Sequence, residues 1–147
     1  MDSPAWNPSP AVISAAKLTA FTDWLAREKG LRFADYEALW RWSVDDLEGF
    51  WGAVWDYHAI PAATPRTAVL ATATMPGARW FPGVSLNYVE QVFRHATPAR
   101  PAIVSRNEAG TQRELSWAEL QRQVSALAAS LRAMGVQRGD RVVAYLP

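Results

Sequence analysis

The stretch Ser116–Pro147 constrains the fold more than any other part of this chain. Ser116-Trp117-Ala118-Glu119 has the form of a capping box, in which a Ser hydroxyl and a Glu carboxylate each accept a free backbone N–H at a helix start. Leu120, Val124, Leu127 and Leu131 follow at the spacing that builds one apolar helix face. Gly135 suits the left-handed position that ends a helix, and Val136 supplies the apolar contact that accompanies it. Gly139-Asp140 then turns the chain into Arg141-Val142-Val143-Ala144-Tyr145-Leu146-Pro147, which reads as a strand apolar on both faces. In parallel α/β sheets the ligand-binding loops lie at the carboxyl ends of the strands. The sequence therefore predicts a chain that stops where such a loop begins and carries little of any chemistry itself.

Upstream, Pro101–Ser105 and Gln112–Leu115 read as two strands joined through Asn107-Glu108-Ala109-Gly110, a hairpin. Hairpin, long helix and strand together are the opening of an α/β domain that is not completed. A boundary near Thr97–Arg100 divides the chain into residues 1–98 and 99–147.

The first part is helical and rich in indole. Six of the eight tryptophans, Trp6, Trp24, Trp40, Trp42, Trp51 and Trp55, precede residue 56. Ser9-Pro10 is a helix start, and Leu18, Phe21, Trp24 and Leu25 keep helical spacing up to a stop at Gly30, which predicts one helix over 10–29. Asp35 can cap a second helix over 36–42, and Ser43 a third. In the third, Leu47, Phe50, Trp51, Val54 and Trp55 form one stripe, which makes Trp51 and Trp55 core candidates. Asp45, Asp46 and Glu48 suit the positive end of that helix rather than a metal. Residues 58–85 are mostly irregular, with a short strand expected within Thr67–Thr74 and a helix over 86–95 capped by Ser85.

Composition excludes several classes of function. The net charge is +1 and Arg27, Arg32, Arg41 and Arg66 are scattered among acids, so no basic stripe exists for nucleic acid or an anionic membrane. There is no cysteine, hence no disulfide, thiolate metal site or thiol nucleophile. The amino terminus lacks a basic n-region and an apolar h-region, and no apolar run has the length of a membrane helix, so a cytoplasmic protein is expected. No G-x-x-x-x-G-K-[ST], G-x-G-x-x-G or G-x-S-x-G motif occurs. His58 and His95 are isolated, and Lys17 and Lys29 have no phosphate loop beside them.

Three segments together carry a resemblance. Met75-Pro76-Gly77-Ala78-Arg79-Trp80-Phe81-Pro82-Gly83 is an aromatic loop between Pro-Gly pairs, suited either to packing as a clamp or to binding. With Leu115-Ser116-Trp117-Ala118-Glu119-Leu120 and Gly135–Val142, it resembles the acyl-CoA synthetases of the adenylate-forming superfamily. Trp6-Asn7-Pro8, Leu39–Val44, Glu48–Trp51 and Arg79–Tyr88 are similar to the acetoacetyl-CoA synthetases (acetoacetate–CoA ligases), although Val89-Glu90-Gln91 replaces the usual A-E-N. The resemblance implies the N-terminal part of a ligase that joins acetoacetate to CoA through an acyl-adenylate, using ATP, CoA and Mg²⁺ in the complete protein. It carries over no catalytic, cofactor-binding or metal-binding residue, and implies an inactive piece. Two alternatives stay open: an acetyl- or propionyl-CoA synthetase of the same superfamily, and a non-catalytic Trp-rich interaction module. A piece of this kind is also expected to be aggregation-prone or partly molten.

Overall fold

A computed structural model describes residues 6–145. It comprises two compact units, one running to Asn87 and one starting at Tyr88.

In the first unit, α1 (Pro10–Ser14) and α2 (Lys17–Trp24) replace the single helix expected over 10–29. Ser9 caps α1 through the Val12 N–H, as its Ser-Pro start suggests. The chain breaks at Ala16, whose ψ of 140° is extended. The Thr19 hydroxyl closes the break by donating to the Ile13 carbonyl at 2.6 Å, which gives a helix-end carbonyl a partner. α2 runs on as a π-helical turn, Leu25–Lys29, and Gly30 at φ 69° ends it in the left-handed region where glycine is favoured.

α3 (Tyr36–Asp45) is capped by Asp35, which accepts from the Ala38 N–H at 2.8 Å. It runs past the expected end at Trp42. The cap of α4 (Leu47–Tyr57) is therefore Asp46, accepting from Gly49 at 2.9 Å, and not Ser43. The Ser43 hydroxyl instead bonds the Trp40 carbonyl inside α3. A carboxylate is the stronger partner for the positive helix end, and it sits immediately before the first residue of α4.

Phe21, Leu25, Leu39 and Ala53 are the buried core, with Trp24, Leu31, Phe33, Trp42, Phe50, Val54 and Tyr57 packed around them. Leu25 is wholly enclosed; full burial of such a side chain stabilises by about 1.5–3 kcal/mol. α4 meets the core through Phe50, Ala53, Val54 and Tyr57, a face rotated from the expected stripe. Trp51 is consequently 42% exposed rather than in the core. Trp55, half-buried, faces the irregular segment that follows. That segment holds β1 (Leu70–Thr72) and β2 (Arg79–Trp80), an antiparallel pair with an irregularity in its register.

The second unit begins with α5 (Tyr88–Phe93), shorter than expected at both ends. The hairpin is present as β3 (Ile103–Arg106) and β4 (Gln112–Leu115), with Ile103 opposite Leu115 and Arg106 opposite Gln112. α6 (Trp117–Ala133) starts at Ser116, which accepts from the Glu119 N–H at 3.2 Å. The reciprocal half of the capping box is replaced, because Glu119 Oε1 and Oε2 take Arg122 and Oε1 also takes Gln123. Gly135 at φ 85° and the Val136 N–H on the Leu131 carbonyl at 3.1 Å terminate α6. Residues 141–145 form no strand; Leu146 and Pro147 lie outside the described residues. A strand exists only through a ladder partner, and no described strand pairs with this segment. Among its described residues the second unit has none that is buried, and Leu127, on the expected buried face of α6, is exposed.

Candidate functional site

The first unit gathers its charge at the end of α4. Asp56 Oδ2 lies 2.7 Å from Lys29 Nζ, and Asp56 Oδ1 lies 3.0 Å from the Arg66 guanidinium. Lys29 sits over the Trp24 ring at 5.6 Å and Arg66 over the Trp55 ring at 5.9 Å. Each cation thus has a carboxylate on one side and an indole face on another. Partial burial pushes the Asp56 carboxyl up, but the hydrogen bonds and charges of Lys29 and Arg66 outweigh it and hold the group below the ordinary carboxylate range. A carboxylate fixed as an anion between two cations is a structural tie, not a proton-transfer group near neutral pH.

The aromatic loop Met75–Gly83 is packed as a clamp. Phe81 adopts φ 44°, a left-handed conformation that costs a bulky residue on the order of 1–3 kcal/mol. Packing holds it there. Its ring lies 4.6 Å from that of Trp55, and its N–H donates to the Val69 carbonyl at 2.8 Å. Thr64 and Thr67 add hydroxyl donors to the carbonyls of Gly83 and Pro82 at 2.6 and 3.1 Å. Trp80 stands edge-on to Trp51, with centroids 5.9 Å apart. The indoles therefore divide: Trp24, Trp42, Trp55 and Trp117 are half-buried, whereas Trp6, Trp40, Trp51 and Trp80 are exposed.

In the second unit, a groove of about 800 Å³ lies beside the start of α6, lined by Pro98, Arg100, Pro101, Ser116, Trp117 and Gln121 among others. Trp117 meets Phe93 edge-on at 6.0 Å, and its indole N–H is shut from solvent without an acceptor. Glu119, hydrogen-bonded by Arg122 and Gln123, has its pKa lowered to about 2. It is an anchored anion there and not an acid–base group near neutrality.

The residues weighed in the sequence fall into place separately. His58 is exposed beside the Tyr57 ring, and His95 is exposed just past α5. Asp46 caps α4 and also accepts from the Trp42 indole at 3.2 Å. Among the described residues no three His, Asp or Glu side chains converge as metal ligands. The Asp56 tie was not visible in the sequence, because its partners stand 27 and 10 positions away.

Two family models match the chain in succession. Residues 36–92 match the acetyl-coenzyme A synthetase N-terminus, and residues 90–147 match the AMP-binding enzyme family. The acetoacetyl-coenzyme A synthetase of Rhizobium meliloti (strain 1021) is 35% identical over 146 residues, which is 99% of this chain and 22% of that protein. The acetoacetyl-CoA synthetase of Xenopus tropicalis is 35% identical over 147 residues, covering 97% of this chain and 21% of that protein. The structure of acetoacetyl-CoA synthetase from Streptomyces lividans superimposes with a TM-score of 0.86 at 45% identity, covering 96% of this chain and 22% of that one. The chain is a homologue of the acetoacetyl-CoA synthetases. It spans about a fifth of the length of these relatives. The acetoacetyl-CoA synthetase likeness runs through the residues of both units.

Proposed function

We propose that this chain is the N-terminal part of an ATP-dependent acetoacetate–CoA ligase. The complete protein would convert acetoacetate, ATP and CoA into acetoacetyl-CoA, AMP and pyrophosphate. The observation that carries the reading is the 45% identity and 0.86 TM-score to the Streptomyces lividans acetoacetyl-CoA synthetase over 96% of the chain. In this reading residues 1–98 are the helical, Trp-rich leader, and residues 99–147 open the large nucleotide-binding domain. ATP, CoA and Mg²⁺ are held by residues outside this chain, which is inactive alone and contributes scaffold rather than catalytic groups. The packing of the aromatic clamp and the tying of Asp56 between two cations support a scaffold role. The near-neutral charge and the absence of cysteine support a cytoplasmic enzyme without a nucleic-acid partner. No helix among the described residues is long and apolar enough to cross a membrane.

The test is pyrophosphate release by the protein of the complete reading frame, with acetoacetate, acetate and propionate compared at equal concentration. Acetoacetate is expected to give the highest kcat/KM. Preference for acetate or propionate would move the protein to another acyl-CoA ligase class, and no acid-dependent release with any of them would reject the ligase reading.

A further inference from the structure

Local propensity and observed conformation disagree at the junction of α1 and α2. Neither glycine nor proline stands between Ala11 and Lys29, and Ser14-Ala15-Ala16-Lys17-Leu18 consists mostly of good helix formers. Ala is the most helix-favouring residue, yet the two helices part at Ala15 and Ala16, where Ala16 takes φ −68° and ψ 140°. A sharp break in a helix ordinarily has its cause in Pro, in Gly or in an inserted group. Here the inserted group is the Thr19 hydroxyl, which holds the Ile13 carbonyl at 2.6 Å across six positions. α1 gains little burial in return. None of its residues is buried, and Val12 and Ile13 are 52% and 50% exposed.

The bent arrangement also leaves donors unused. Ala16 has no side-chain acceptor, so the opening N–H groups of α2 lack the partner that Ser, Asp or Asn would give them. In a continuous helix the N–H groups of Lys17, Leu18 and Thr19 would bond the carbonyls of Ile13, Ser14 and Ala15. Ile13 would come within roughly 20° of Trp24 round the helix, on the side where Trp24 packs against the core. Against these gains stand the Thr19 bond and the Ala16 N–H on the Ile13 carbonyl at 3.1 Å. Both occupy the one carbonyl that the Lys17 N–H would need. The contest is local, and a single hydroxyl decides it.

We propose that Ala15–Ala16 is a two-position joint, latched in the bent position by the Thr19 hydroxyl and straightening, when unlatched, into one helix from Pro10 through Trp24. The joint goes beyond the ligase reading and does not depend on it. The chain contains no cysteine, so Val12→Cys and Asp23→Cys supply two exposed spin-label sites, one on each side of the joint. Eleven residues of continuous helix would separate them by about 16 Å along the axis. Thr19→Val keeps the side-chain shape and removes the latch. It is expected to raise the population at the straight-helix distance at least threefold, read by dipolar electron spin resonance. Lys17→Pro suits the bent form, because proline fits the first position of a helix and favours an extended residue before it. It forbids the straight form, where its ring would meet the preceding turn, and is expected to abolish that population. The same distance distribution in the parent, Thr19→Val and Lys17→Pro would overturn the joint. Amide exchange gives a reading free of labels. Thr19→Val is expected to slow exchange at Leu18 and at position 19 at least threefold; equal or faster exchange there would overturn the proposal.

Discussion

Lys29 Nζ lies 2.7 Å from Asp56 Oδ2, joining the π-helical turn to the end of α4 across 27 positions of sequence. Arg66 approaches the other carboxylate oxygen at 3.0 Å, so one acid ties three segments. Asp56→Asn is expected to destabilise the first unit by about 1 kcal/mol, because two cations lose a charged acceptor at a site that is still partly solvated. The folded Asp56 pKa is lowered. Its contribution is therefore complete above the unfolded carboxylate range and lost as pH falls through the lower folded value. Thermal melts of the two proteins should differ at pH 7 and converge in strong acid; a difference that stays undiminished as the pH is lowered would contradict the tie.

Ala59, just past α4, has φ 43° while the Ile60 N–H reaches back to the Trp55 carbonyl at 3.3 Å. This is a helix-terminating position that glycine occupies without strain. A non-glycine residue in that conformation costs about 1–2 kcal/mol, and glycine returns roughly half of the gain through its larger unfolded-state entropy. Ala59→Gly should raise stability by about 0.5–1 kcal/mol, measured as a shift of the urea midpoint at constant slope. A lowered midpoint would disprove it.

The two units should respond very differently to truncation of a leucine. Leu25→Ala removes a wholly enclosed side chain and is expected to cost about 2–5 kcal/mol. Leu127→Ala acts on an exposed position in α6 and should stay within about 0.5 kcal/mol. Comparable losses in denaturant titrations would show that α6 is covered in solution.

Native-state hydrogen exchange should separate the same units. Amides of α2 and α4, which surround the core, are expected to exchange slowest. Those of β3, β4 and α6 should exchange faster, since no described residue there is buried. Equal protection in α4 and α6 would refute this difference.

The elements were legible wherever a local signal existed. Ser9, Asp35 and Ser116 each cap the helix their position suggested, and the hairpin register follows from its Asn107–Gly110 turn. Failures came where two local signals competed or where partners are distant. Ser43 and Asp46 were both adequate caps, and the extension of α3 to Asp45 left Asp46 in position. α4 is apolar on nearly every side, so periodicity could not choose between the face with Trp51 and the face with Ala53. β2 has only two residues, too few to show alternation. The strand expected over 141–147 had the right composition, but composition cannot supply a ladder partner. For the site, the aromatic loop was visible as a motif; Phe81 fitting Trp55 was not, because that contact depends on a left-handed backbone.

The four buried core side chains of the first unit, Phe21, Leu25, Leu39 and Ala53, all fall between residues 21 and 53. Every segment needed to enclose Leu25 is therefore synthesised early, at about 5–20 residues per second. On a translating ribosome the first unit has every residue of its hydrophobic centre before the second unit is made, and can close it within seconds of leaving the exit tunnel.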